Sequence, residues 1–287
     1  MDRITAFIDQ SSYAASVIEH AAWASAATGY GLDLVHAVNH RRGPAPVDLT
    51  GAIGLGARST LMESLTKHDE AAARLAREAG QALLDEAVAR AREKGGVDVK
   101  ARLRTGDLLS AVEDTEPGSR LLVLGKRGEH ANFAAGHLGS NLERVARAAS
   151  RPILVANREF ARPQHAVIAF DGGASAGKAV SHLAKGKLLR GAKITLLNAG
   201  SREDGLAAEM DAAAAILTEA GHTVDTAFRP GSPESVITDF VGEVGADLLV
   251  MGAYGHSRIR TLLIGSTTTA MMRACRIPVM LFRPETV

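Results

Sequence analysis

Cysteine occurs once in the 287-residue chain, at Cys275, so no internal disulfide can form and no second thiol exists to help build a structural zinc site. The plain reading of Cys275 is a small buried filler. Aromatic residues make up 4% of the chain, with a single tryptophan, too few for a stacking surface on single-stranded nucleic acid. An excess of one charge is also missing. Thirty-three Lys and Arg stand against thirty-two Asp and Glu, so no global field draws the chain to nucleic acid or to an anionic membrane. No apolar run approaches the roughly 18 residues that a membrane span requires. The opening MDRITAFIDQSS lacks the basic and then apolar order of a secretory leader. A cytoplasmic protein without nucleic-acid or membrane partners is expected.

What is present is apolar surface, 46% of the residues, together with 23% charged residues, the balance of a globular chain. The length suits two domains, and the sequence repeats itself. ITAFIDQSSYAASVIEHAAWAS matches AVIAFDGGASAGKAVSHLAKGK, which sets Asp9 against Asp171. VKARLRTGDLLSAV matches VDTAFRPGSPESVI, with Gly106 against Gly231. SRLLVLGKRGEH matches ADLLVMGAYGHS, with Gly125 against Gly252, and SRPILVANR matches CRIPVMLFR. The spacing between copies shrinks along the chain, so the first copy carries about 35 extra residues, centred on 40–69. That insertion starts rich in Gly and Pro and turns helix-like; it reads as a surface excursion or as a ligand lid.

Within each copy, short β-rich runs alternate with longer helical stretches. In the first copy ITAFID, DLVHAV, VKARL, LLVLG and PILVA are the strand candidates. Five strands alternating with four helices imply a parallel sheet covered on both faces. The expected fold class is therefore α/β, with two doubly wound five-stranded domains over 1–158 and 163–287, joined through NREFARPQ.

Ligands of such sheets bind beyond the carboxyl ends of the strands, where the strand order reverses. Asp9 or Asp171 would stand there after the first strand of each copy, and the glycines after the fourth. In the second copy Gly252 and Gly255 are two residues apart, nine residues follow, and Gly265 precedes Ser266 and Thr267 at a helix start. Glycine lets backbone approach a phosphate, and the helix start offers amides, hydroxyls and the positive end of a dipole. In the first copy Gly125 and Gly128 keep their spacing, but ten residues separate Gly128 from Gly139, which precedes Ser140 and Asn141. Leu142 stands where the second copy has Thr268. Lys126 and Arg127 are cations beside a phosphate position or solvated loop charges.

These residues resemble the universal stress proteins, whose nucleotide-binding members carry Gly, two residues, Gly, nine residues, Gly and then Ser or Thr. The resemblance spans nearly the whole chain as two tandem copies. It implies a Rossmann-like fold of the adenine nucleotide alpha hydrolase-like type, with the copies paired edge to edge as an internal pseudo-dimer. It further implies binding of ATP or another adenine nucleotide, with magnesium as an optional companion, a regulatory or protective role in the stress response, and homodimers as an optional assembly. Asp9 and Asp171 would lie at the adenosine end, and Ala37 and Ala199 against the base. Gly252, Gly255, His256, Ser257, Gly265, Ser266 and Thr267 would surround ribose and phosphates, with Gly125, Gly128, Gly139, Ser140 and Asn141 as their first-copy counterparts.

Bland readings stand beside these. An aspartate after a strand also serves as the cap of the next helix. A nucleotide-free, dimer-like scaffold would present the same two copies, although it has no need of the intact second motif. Gly172, Gly177 and Lys178 match P-loop spacing, but Ala179 stands where a hydroxyl is required. An adenylating ligase would need a Ser-Gly-Gly-x-Asp-Ser-like loop, which neither IDQSS nor FDGGAS supplies. His130, His137 and His256 lack zinc-ligand spacing and paired carboxylates, so no metal site or catalytic residue is expected, and no activity beyond slow ATP hydrolysis.

Overall fold

The computed structural model describes residues 2–38, 55–128, 140–202, 205–253 and 265–283. The first half runs β1 (Arg3–Phe7), α1 (Ala14–Thr28), β2 (Gly31–Val38), α2 (Leu55–Glu93), β3 (Val97–Thr105), α3 (Leu108–Thr115), β4 (Ser119–Gly125), α4 (Ser140–Ala148) and β5 (Ile153–Ala156). The second half repeats it as β6 (His165–Ala169), α5 (Ala174–Lys185), β7 (Lys193–Asn198), α6 (Ala207–Glu219), β8 (Thr223–Phe228), α7 (Pro233–Glu243), β9 (Leu248–Gly252), α8 (Ser266–Ala274) and β10 (Val279–Phe282).

All ten strands join one sheet in the order β3-β2-β1-β4-β5-β10-β9-β6-β7-β8. Each half is parallel and doubly wound. Among the described residues the single antiparallel junction is β5 with β10, where Val279, Met280 and Leu281 pair with Val155, Leu154 and Ile153. The edges that would have been left open in two separate domains thus close on each other, as the resemblance implied.

Burial explains which runs became which strands. β1, β4 and β9 lie between strands with helices on both faces, so RITAF, LLVL and LLVM are buried throughout. The outer strands β3 and β8 alternate with exposed residues, and β3 carries Lys100, Arg102 and Arg104, charges that discourage edge-to-edge pairing. Helices α1, α2, α5 and α6 cover one face, around Trp23, Leu84, Val180 and Met210. Helices α3, α4, α7 and α8 cover the other, around Val112, Val145, Phe240 and Met272.

The part of the insertion that reads as helix-like is helical, and it does not end where the insertion does. Its helix-like portion and the Ala-rich stretch after it form a single helix, α2, of 39 residues. No proline interrupts that run, and Gly80 does not break it because the helix crosses the sheet there. A Cβ at Gly80 would stand 2.8 Å from Leu103 and 2.9 Å from the His36 ring. From Gly80 onward, Leu84, Ala87 and Ala91 bury one stripe on the sheet, while residues 63–72 are exposed. The Gly- and Pro-rich start of the insertion, 39–54, lies outside the described residues.

Candidate functional site

The strand order reverses between β1 and β4 in the first half and between β6 and β9 in the second. At the first reversal a cleft of about 500 Å³ opens beyond the strand ends. Its floor is formed by Phe7, Ile8, Asp9, Val35 to Val38 and Leu124 to Gly128, and one wall is Ala76 and Ala79 of α2. Asn141, Leu142 and Arg144 of α4 close the other side. Apolar residues such as Phe7, Val35 and Leu124 share its lining with Asp9, His36, Asp107 and Arg144, a mixed character that suits a small-molecule site.

The chain brings Asp9 and Gly128 together. The Asp9 carboxylate accepts the Ser11 amide at 3.0 Å through Oδ1, and its Oδ2 stands 2.9 Å from where a Cβ on Gly128 would lie. Only glycine leaves that room. Gly125 is just as constrained, since a Cβ there would meet the Tyr13 Cβ at 2.9 Å. Ala37 sits in β2 beside Arg104 of β3, half-buried in the cleft floor. Ser140 opens α4, with Asn141 exposed and Leu142 buried behind it. Gly139 lies outside the described residues.

The second half reproduces this frame. Asp171 Oδ1 accepts the Gly173 amide at 2.9 Å, the same turn two residues on. Neither aspartate occupies the helix N-cap position, which falls to Tyr13 and Gly173, so each carboxylate shapes the strand-to-helix turn instead. Ala199 follows the end of β7, and Gly252 ends β9 beside Phe282. Gly265 donates its amide to the Ala253 carbonyl at 3.2 Å, and Thr268 Oγ1 donates to the Gly252 carbonyl at 3.0 Å. These two bonds tie the start of α8 to the end of β9, with Ser266 exposed and Thr267 half-buried in the first turn of the helix. Gly255, His256 and Ser257 lie outside the described residues, as do His130 and His137.

Sequence reasoning missed three contributors. His36 Nδ1 donates to the Ile8 carbonyl at 2.8 Å, and Asn198 Nδ2, its counterpart in the repeat, donates to the Phe170 carbonyl at 2.8 Å. Both pin the loop that carries the aspartate. The signal was available as a polar residue at the same register of each copy, inside an otherwise apolar strand. The third is Asp107, on the cleft rim at the N-cap of α3. The Ser110 amide and hydroxyl, with Arg144 at 3.3 Å, hold its carboxyl below the usual range.

Lys126 departs from its expected place. It lines the cleft, but its ammonium leaves toward the second half and donates to the Cys275 carbonyl at 2.5 Å, at the C-terminal end of α8. Burial lowers its proton affinity. The contact has a near mirror image across the seam, where Arg283 donates to the Arg147 carbonyl and, at 3.1 Å, to the Ala149 carbonyl at the end of α4. Each half thus sends a cation to the negative end of the other's helix. The P-loop spacing carries no loop at all. α5 begins at Ala174, Gly177 donates its amide to the Gly173 carbonyl at 3.0 Å, and Lys178 lies within the helix.

The universal stress protein family model matches residues 1–157 and again 163–283. Universal stress protein Slr1230 of Synechocystis sp. (strain ATCC 27184 / PCC 6803 / Kazusa) is 33% identical over 287 residues, covering 99% of this chain and 100% of that relative. Among solved structures, a universal stress protein from Archaeoglobus fulgidus DSM 4304 is similar with a TM-score of 0.73 at 16% identity, covering 99% of this chain and 98% of that one. A functionally unknown protein from Pseudomonas aeruginosa PAO1 has a TM-score of 0.58 at 16% identity, covering 99% and 93%. These two likenesses establish the fold across both halves.

Proposed function

The chain belongs to the universal stress protein family, and from that premise we propose that it binds an adenine nucleotide, ATP foremost, and acts as a regulatory or protective factor in the stress response. The observation that carries this reading is the cleft at the first strand reversal, where a carboxylate and a glycine backbone meet with room for a ligand. A carboxylate there accepts from base or ribose donors, and backbone stripped of Cβ admits a phosphate. The second half supports the same reading through its complete glycine pattern and through α8, whose first turn faces the end of β9. Free amides and hydroxyls at that turn suit a phosphate without any net positive charge.

The nucleotide would supply charge at the glycine loop, and the chain's part is to bind and orient it. Magnesium, when present, would come with the phosphates; no protein ligand is assigned to it. A nucleotide held between the end of β9 and the start of α8 biases the adjoining strand β10, which is the seam itself. Because β5 and β10 already pair within the chain, two chains that associate must use another surface. A chain with one cysteine needs no oxidising compartment, which suits a cytoplasmic setting.

The test is to denature freshly purified protein, identify and count the released nucleotides by mass spectrometry, and repeat with Asp9→Ala, Asp171→Ala and Gly265→Val variants. One or two adenine nucleotides per chain, reduced in the variant of the half that holds each, is the expected result. No released nucleotide and no calorimetric response to added ATP would overturn the reading and leave the nucleotide-free scaffold.

A further inference from the structure

A second cavity, of about 430 Å³, lies on the seam between the halves. Three separate parts of the chain line it: Lys126 from the first half, the connecting residues Arg158 and Glu159, and Arg273 and Arg276 from the second half. Four cations thus face one carboxylate.

Their mutual repulsion is poorly compensated. Arg273 reaches Glu143 at 3.5 Å, an exposed contact of little strength. Arg158 lies over the Tyr13 ring at 5.9 Å, and neither it nor Arg276 has an ion pair among the described residues. The Lys126 ammonium meets the Cys275 carbonyl and no carboxylate among the described residues. Across the seam, the corresponding cation Arg283 is taken up in capping α4. The excess charge therefore collects on the side where the connecting segment passes.

We infer that this seam cavity, formed by Lys126, Arg158, Arg273 and Arg276, is a binding site for a small phosphate anion carrying two or more negative charges. Guanidinium groups present paired donors that match phosphate oxygens, and an anion among four cations relieves their repulsion in a partly desolvated space. The site needs both halves and their connection in one chain; it shares Lys126 with the first nucleotide cleft, but the ammonium of that residue is turned to the seam. An anion held there bridges Arg158 to Arg276 and ties the connecting segment to the end of α8, beside the Lys126 contact. Occupancy thus fastens the two halves together.

Cys275, the only cysteine, is buried against this cavity and serves as a local reporter. With the full chain at constant ionic strength, pyrophosphate should bind in calorimetry and slow iodoacetamide alkylation of Cys275 at least threefold. The Arg158→Gln/Arg276→Gln double variant changes two exposed side chains and should fold. It should lose the protection and bind pyrophosphate at least tenfold more weakly. Arg190→Gln, an exposed change elsewhere, should leave both readouts intact. Protection that persists in the double variant, that sodium chloride reproduces, or that disappears in Asp9→Asn instead, would overturn the assignment. So would the absence of any protection in the unaltered chain.

Discussion

Replacing Asp9 by Asn separates the ligand role of this carboxylate from its structural role, because the two oxygens do different things. Oδ1 accepts the Ser11 amide at 3.0 Å, so an asparagine must place its carbonyl oxygen there to keep the turn. Its NH2 then falls on the side that packs against Gly128, where the cleft opens. A nucleotide donor that meets a carboxylate oxygen in the native chain would meet another donor in the variant. A hydrogen bond to a charged group contributes about 1.5–3 kcal/mol, which corresponds to roughly a 10- to 150-fold loss of affinity. Shape and the turn bond survive, so the loss should show chiefly in affinity rather than in the urea midpoint. The assay is calorimetric titration of ATP into the full chain in a Gly265→Val background, which confines binding to the first half, with a urea midpoint as the stability control. An unchanged dissociation constant at unchanged stability would refute the reasoning and leave Asp9 as a turn-forming residue alone.

Other perturbations address the seam, the core and the second half. Lys126→Met keeps the apolar stem of the side chain but removes the charged bond to the Cys275 carbonyl, and should cost about 1.5–3 kcal/mol in urea unfolding; a midpoint equal to the parent's would show that the helix end is satisfied by water. Burial holds His20, and likewise His182, below the ordinary histidine value of 6.5. The unfolded chain then binds more protons below pH 6.5, so stability should be flat above about pH 7.5 and fall on acidification by at most about 1.4 kcal/mol per pH unit for each histidine. Equal urea midpoints at pH 7.5 and 5.5 would contradict that sign, and the lowered carboxyls of Asp98 and Asp107 act only in a more acidic window. Thr268→Val deletes the bond to the Gly252 carbonyl and should cost about 1 kcal/mol of stability, with nucleotide affinity reduced in the second half alone. Equal losses in both halves, read with the Asp9→Asn and Asp171→Asn backgrounds, would count against it.

Much of the frame was legible because it rests on periodicity. Runs such as LLVLG and LLVMG are apolar throughout, which only a strand covered on both faces tolerates, and their recurrence exposed the tandem copy. The positions of Asp9 and Asp171 were legible for a different reason, since each follows the first strand of its copy, and the structure sets Asp9 Oδ2 2.9 Å from where a Cβ on Gly128 would lie. What the sequence concealed was reach. Nothing in GKRGEH reveals that Lys126 turns away from the cleft its backbone lines and crosses to Cys275, 149 residues later. Long flexible side chains choose partners in three dimensions. The fusion of the insertion with the Ala-rich helix was hidden similarly, because the repeat places the end of the insertion near residue 69, where the chain simply continues one helix from Leu55 to Glu93.

The two halves hold their glycine-loop helices by different means, and this sets what each can lose. In the second half Thr268 is buried and spends its hydroxyl on the Gly252 carbonyl, so the position of α8 is fixed by a directional bond at the strand end. In the first half Leu142 occupies the equivalent place, buried to 3% exposure, and offers apolar contact where Thr268 offers a hydrogen bond. A directional bond specifies position within a few tenths of an ångström, whereas apolar packing tolerates sliding. The first half compensates at another point, with Arg144 of α4 paired to Asp107 across the cleft rim. That ion pair joins α4 to α3 and closes the cleft from the side opposite α2. The first cleft is thus walled by a long helix on one side and by α4, in contact with Asp107, on the other, while the second half ties α8 to β9 through the Gly265 amide and the Thr268 hydroxyl.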